Sequence, residues 1–134
     1  MERVVIPQIR TGVDIIEIER IARAYQRRPQ IFMKRFFTAK EQKQLALRQH
    51  VVQHLAVRFA AKEAVFKLLG LGLGRLAWTE VEVLSLSSGE PSVCLHGKAA
   101  LRATELSLQP ISLSMSHSRK YAVAQAVAFF LTNS

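Results

Sequence analysis

Two acids and one lysine are the residues best able to do chemistry in this chain. Asp14 follows Gly12 at the end of an otherwise apolar segment, Ile9 to Ile16, where a carboxylate needs a cation, a polar partner or water. Glu63 lies in the run Arg58-Phe59-Ala60-Ala61-Lys62-Glu63-Ala64-Val65-Phe66-Lys67. At about 100° per residue, Arg58 and Lys62 share one helical stripe and Glu63 and Lys67 another. Carboxylates from two separate segments could share a Mg²⁺, which is typically held by one or two carboxylates plus substrate phosphates. Lys67 and the Arg58/Lys62 stripe would then offer positive charge to a phosphorylated substrate. The plainer readings are a Glu63–Lys67 surface pair worth a few tenths of a kcal/mol and an Asp14 that favours a helix N-terminus.

Other reactive residues point less clearly. His117 ends an alternating row, where a histidine is more often a satisfied rim residue. His50, His54 and His96 have no metal-ligand spacing, so zinc is not expected, and Cys94 has no cysteine partner and no local pattern of a nucleophile. Neither a phosphate-binding Gly-x-x-x-x-Gly-Lys-Ser/Thr loop nor a Gly-x-Gly-x-x-Gly turn occurs.

These residues must be positioned by a small set of elements. Ile9 to Ile16 reads as a strand, and from Glu17 the recurrence of Ile18, Ile21, Ala22 and Tyr25 predicts an amphipathic helix with Arg20, Arg23 and Arg27 on another face. Pro29 ends that helix or starts a short one over QIFMKRFF. Thr38-Ala39-Lys40-Glu41 fits a capping box for a helix to about Gln49. Val51 to Leu69 predicts the longest helix, stopped at Gly70-Leu71-Gly72-Leu73-Gly74, where glycines serve either a helix stop or close backbone approach to a ligand. Strands are expected around Val81 to Leu84 and Val93 to Leu95 about a turn at Ser87 to Glu90, and a helix over Lys98 to Leu106. Ile111, Leu113, Met115 and His117 alternate with serines, and Arg119-Lys120 leads into Tyr121 to Leu131, which predicts an antiparallel hairpin. Helices concentrate in the first half and strands in the second, so the class is α+β, with an antiparallel sheet built mainly from the C-terminal half.

With 134 residues, 49% of them hydrophobic and 22% charged, the chain fits one domain spanning residues 1–134. No apolar stretch reaches a membrane span, and the N-terminus lacks the apolar run of a secretion signal. A lone cysteine fits a reducing cytoplasm. The net charge is +9, and between Arg20 and Arg48 nine basic residues meet one acid, Glu41, so a surplus of eight lies in that stretch. A polyanionic partner is implied, whether nucleic acid, an acidic protein or a phosphorylated small molecule, with a solubilising surface as the plainer reading. A pI near 10.5 also fits a nucleic-acid-binding domain. Against that reading, zinc-finger spacing and aromatic-rich strand motifs are missing, and aromatic content is only 7%.

Taken together, several segments resemble holo-acyl-carrier-protein synthase, the short class of 4′-phosphopantetheinyl transferases. They are Gly12-Val13-Asp14-Ile15, Phe37-Thr38-Ala39-Lys40-Glu41, Arg58 to Ala64 running on to Lys67 and Gly70, Gly89-Glu90-Pro91, and Ser114-Met115-Ser116-His117-Ser118 with Tyr121-Ala122. The resemblance implies transfer of the phosphopantetheine arm of coenzyme A to a serine of apo-acyl carrier protein, releasing 3′,5′-ADP, in support of fatty acid biosynthesis. It implies that Asp14 and Glu63 hold Mg²⁺ and that Lys67 lies by the transferring phosphate. Arg58, Lys62, His117 and Ser118 would belong to the coenzyme A site, with Gly89 and Pro91 bordering its adenosine end. The helix carrying Arg20, Arg23 and Arg27 would dock an acidic carrier protein. Either Glu63, through a water on the metal, or Asp14 would take the serine proton. A homotrimer with sites at subunit interfaces is implied, with no nucleic acid or membrane as partner. Leu71 and Ser118 both stand where the family commonly has threonine.

Overall fold

A computed structural model describes residues 4–71 and 74–133. Gly72 and Leu73, within the expected glycine turn, lie outside the described residues. The chain runs β1 (Val5–Glu17), α1 (Ile18–Arg27), α2 (Pro29–Phe36), α3 (Ala39–Leu45), α4 (Val51–Leu69), β2 (Val81–Ser85), β3 (Pro91–Leu95), α5 (Gly97–Glu105), β4 (Ser112–His117) and β5 (Tyr121–Asn133). The α+β class holds. The sheet order is β1-β5-β4, fully antiparallel, so the N-terminal strand joins the C-terminal hairpin, and β2 and β3 form a separate hairpin.

Small side chains explain how the sheet meets α4. On β5, Ala122, Ala124, Ala126 and Ala128 alternate inward and are buried, as strand periodicity requires. They face Ala60, Ala61 and Ala64 territory on α4, all buried. On β1, a Cβ at Gly12 would fall 1.9 Å from the Ala64 carbonyl oxygen, so only glycine permits this approach. The outer side of the same sheet carries Ile9, Val13, Ile15, Phe129 and Leu131, all exposed.

The helix α4 is central, with twelve buried residues on nearly all sides. Its buried set includes Arg58 and Lys62, so that stripe of the helix faces inward. Its end is closed by the left-handed Gly70 at φ 72° and by two arginines. Arg10 Nε donates to Leu68 O (2.7 Å) and Arg102 Nε to Leu69 O (2.8 Å), placing cations on the carbonyls at the negative end of the helix.

Pro29 starts α2 rather than ending α1, as its fixed φ and missing N–H suit a first helical turn. The capping box forms: Thr38 Oγ1 accepts from Glu41 N (3.2 Å) and Glu41 Oε1 from Thr38 N (2.8 Å). The helix it starts stops at Leu45, short of Gln49, because the chain must turn through His50, at φ 53°, to enter α4. Among the described residues, no helix is long and apolar enough to cross a membrane.

Candidate functional site

A cleft of about 390 Å³ opens between the end of β1, α1 and α4. Asp14, Arg20, Glu63 and Lys67 form its polar side. Ile21, Phe32, Phe36, Phe59 and Trp78 form the apolar side. The aromatic wall is interlocked: Phe59 stacks on Trp78 with centroids 4.5 Å apart, and Phe36 meets both rings edge-on at 5.3 and 5.1 Å. A convergent polar group on one side of an apolar recess is the usual form of a small-molecule site.

Sequence spacing pairs Glu63 with Lys67, but the fold uses Lys67 differently. Its ammonium donates to Val13 O (2.9 Å) and to Asp14 Oδ1 (3.2 Å), across from helix to strand. The Asp14 side chain is 17% exposed and that of Lys67 53%, so the lysine is free to move. Burial pushes the Glu63 carboxyl above the usual carboxylate range, and the nearby Asp14 charge adds to it; Lys67 and Arg20 oppose this without cancelling it. Two carboxylates that repel each other in a partly buried cleft are a donor set suited to a hard divalent cation.

Directly beside Glu63, Lys62 does the opposite. It is fully buried, and its three ammonium protons meet Glu41 Oε1 (2.8 Å), Trp78 O (3.1 Å) and Val81 O (2.5 Å). Glu41 Oε2 in turn accepts from Val83 N (2.9 Å). Burial pushes the Lys62 ammonium down, against the attraction of Glu41. Lys62, expected in the coenzyme A site, is in this structure a tie joining α3, α4, β2 and the tryptophan wall.

Arg58 and His117 lie away from the cleft lining. Arg58 is 3% exposed, donates from Nη2 to Ser85 Oγ (2.8 Å), and leaves its buried Nε with no partner. Arg48 reaches the same hydroxyl at 3.4 Å. Burial holds the His54 imidazole below its ordinary value, helped by the positive fields of Arg48, Arg58, His117 and His50. Arg48 and Arg58 thus bring two guanidinium groups to one hydroxyl, that of Ser85. Local spacing gives no sign that His54 lies within the fields of Arg48 and Arg58. Ser118 closes the β4–β5 turn, its Oγ accepting from Tyr121 N (3.2 Å), which leaves His117 exposed at the strand end. Gly89, at φ 91°, lies in the β2–β3 turn and Pro91 opens β3, both outside the cleft lining.

Arg20, Arg23 and Arg27 all stand exposed on α1, while Ile18 and Ile21 are buried beneath them. Glu41, the single acid of the basic stretch, is withdrawn into the core. The surface of that stretch therefore shows cations alone.

The profile of the 4′-phosphopantetheinyl transferase superfamily matches residues 10–126. The chain belongs to that superfamily. It is 44% identical over 116 residues to the holo-[acyl-carrier-protein] synthase of Natranaerobius thermophilus, covering 87% of this chain and 93% of the relative. The crystal structure of the holo-[acyl-carrier-protein] synthase from Neisseria meningitidis matches with a TM-score of 0.81 at 30% identity, covering 89% and 96% of the two chains. A synthase–coenzyme A complex from Chronobacterium ammoniagenes matches with a TM-score of 0.80 at 27% identity, covering 92% and 98%.

Proposed function

We propose that the chain transfers the 4′-phosphopantetheine group of coenzyme A to a serine of apo-acyl carrier protein, as one domain over residues 1–134. The observation that carries this reading is the convergence of Asp14, Glu63 and Lys67, from β1 and α4, in one cleft with an aromatic wall. In the reaction the serine oxygen forms a bond to the phosphorus bearing the pantetheine arm, and the bond from that phosphorus to the bridging oxygen breaks. 3′,5′-ADP leaves with the electron pair, and the serine proton passes to a carboxylate of the cleft.

Asp14 and Glu63 would hold Mg²⁺, and their mutual repulsion is the observation on this chain that fits them to it. Bound there, the ion supplies charge neutralisation on the pyrophosphate. Lys67 exchanges its contact with Asp14 for a non-bridging phosphate oxygen, adding charge-assisted hydrogen bonding as the bond breaks. Asp14 and Glu63 are the two carboxylates of the cleft lining and so the two groups able to accept the serine proton. The aromatic wall excludes water on the apolar side.

Arg58 and His117 would take another phosphate of coenzyme A, with Arg48 beside Arg58 at Ser85, and Gly89 and Pro91 would border its adenosine. In one protomer neither Arg58 nor His117 lines the Asp14–Glu63 cleft, which supports sites shared between copies. The exposed Ile9, Val13, Ile15, Phe129 and Leu131 on one sheet face supply an apolar surface for that association, as a homotrimer. Arg20, Arg23 and Arg27 would dock the acidic carrier, and Arg20 also lines the cleft, so docking delivers the serine to the reacting phosphate. The activity would serve fatty acid biosynthesis in the cytoplasm.

The test is a mass measurement. Purified chain, coenzyme A, Mg²⁺ and apo-carrier should give a carrier heavier by one phosphopantetheine. No gain with several carriers in a folded sample would refute the reading.

A further inference from the structure

The β2–β3 hairpin places three unlike metal-binding side chains together, Glu82 on one strand and Cys94 and His96 along the other. Glu82 and Cys94 are direct cross-strand partners. His96 lies two residues beyond Cys94, on the same side by strand periodicity, and its backbone N–H extends the ladder to Glu80 O (2.8 Å). The carboxylate oxygen of Glu82, the sulfur of Cys94 and a ring nitrogen of His96 all lie within 4.8 Å of one another. His96 Nε2 already contacts Glu82 Oε1 at 3.2 Å.

We propose that Glu82, Cys94 and His96 form a binding site for a divalent zinc-type cation, separate from the Asp14–Glu63 cleft. One thiolate, one imidazole and one carboxylate are the ligand types that zinc takes. Zinc–nitrogen and zinc–sulfur bonds of about 2.0 and 2.3 Å require the donor atoms to draw together from their present spacing. Cys94 and His96 are exposed and free to rotate for that closure. Glu82, 5% exposed, is the fixed member: its second oxygen accepts from Thr38 Oγ1 (2.5 Å), an outer contact that holds the carboxylate in place. On binding, the Cys94 thiol gives its proton to solvent and His96 coordinates as neutral imidazole. The thiolate and carboxylate then balance the cation's two charges. The fourth position faces solvent. Magnesium, an oxygen-seeking cation, is a poor match for this set. Local sequence spacing could not show the site, because Glu82 joins it only through the hairpin register.

The test uses Co²⁺ as the probe, titrated into reduced full-length protein in excess Mg²⁺, with Zn²⁺ as competitor. The site predicts one equivalent bound with a thiolate-to-cobalt charge-transfer band, bleached by Zn²⁺. Cys94→Ser should abolish the band, and His96→Ala should weaken Co²⁺ binding at least tenfold. Both side chains are exposed, so the variants retain the fold, checked by circular dichroism. Absence of the band, its persistence in Cys94→Ser, or Zn²⁺ binding lost in Asp14→Asn but kept in Cys94→Ser would overturn the proposal.

Discussion

Lys62 and Glu63 are neighbours on one helix, yet they belong to opposite kinds of site. Lys62 turns inward to Glu41, where every ammonium proton has an acceptor and nothing is exposed. Glu63 turns to the cleft, where a second carboxylate repels it and its carboxyl is held above the ordinary range by burial and Asp14. One ion pair is complete without a ligand. The other arrangement keeps a repulsion between two carboxylates that a cation would relieve. A charged residue in a motif can thus be architectural or chemical, and the difference lies in whether its partners are already present.

The comparison can be broken most forcefully from its architectural side. Glu41→Ala should cost about 3–5 kcal/mol, because it strands a buried ammonium, and urea unfolding would measure it. Loss of transfer in that variant should follow loss of fold. A variant as stable as wild type would show that the Glu41–Lys62 tie is dispensable.

Charge reversal of Arg20 and Arg23 sharpens the functional side with a smaller effect. The proposed docking of an acidic carrier on these exposed arginines implies that the KM for carrier rises on the order of tenfold while the KM for coenzyme A changes little. Raising ionic strength should weaken the wild-type preference in the same direction. Equal changes for both substrates would place carrier docking elsewhere.

The smallest effect is one of stability and carries a defined sign. Because the folded-state Glu63 carboxyl is raised, its contribution to stability is fully present below the unfolded pKa and is lost as pH rises through the folded one. Glu63→Gln should therefore stabilise metal-free protein above that range, by about 0.5 kcal/mol after solvent screening. Thermal unfolding across pH would detect it, with the two proteins converging in acid. A destabilised Gln variant at pH 8 would contradict the repulsion.

Much of this was legible in the sequence because the signals were local. The alternation from Ile111 to His117, the capping box at Thr38 and Glu41, and the helix from Val51 to Leu69 all appear where their periodicity and capping chemistry put them. The pairing of Asp14 with Lys67 was less accessible, since it depends on how closely β1 approaches α4 at Gly12. The burial of Lys62 was missed for the same reason. Helical spacing gives an angle around α4, but which angle faces solvent depends on how many elements pack on that helix. The meeting of Arg48 and Arg58 at Ser85 likewise needs β2 brought beside α4.

The most direct test of the central claim is carrier mass gain with wild type and Glu63→Gln side by side, each checked for cooperative unfolding. The account predicts one phosphopantetheine added by wild type and none by Glu63→Gln under the same coenzyme A and Mg²⁺, with the variant at least as stable. Transfer by a folded Glu63→Gln protein at the wild-type rate would contradict it.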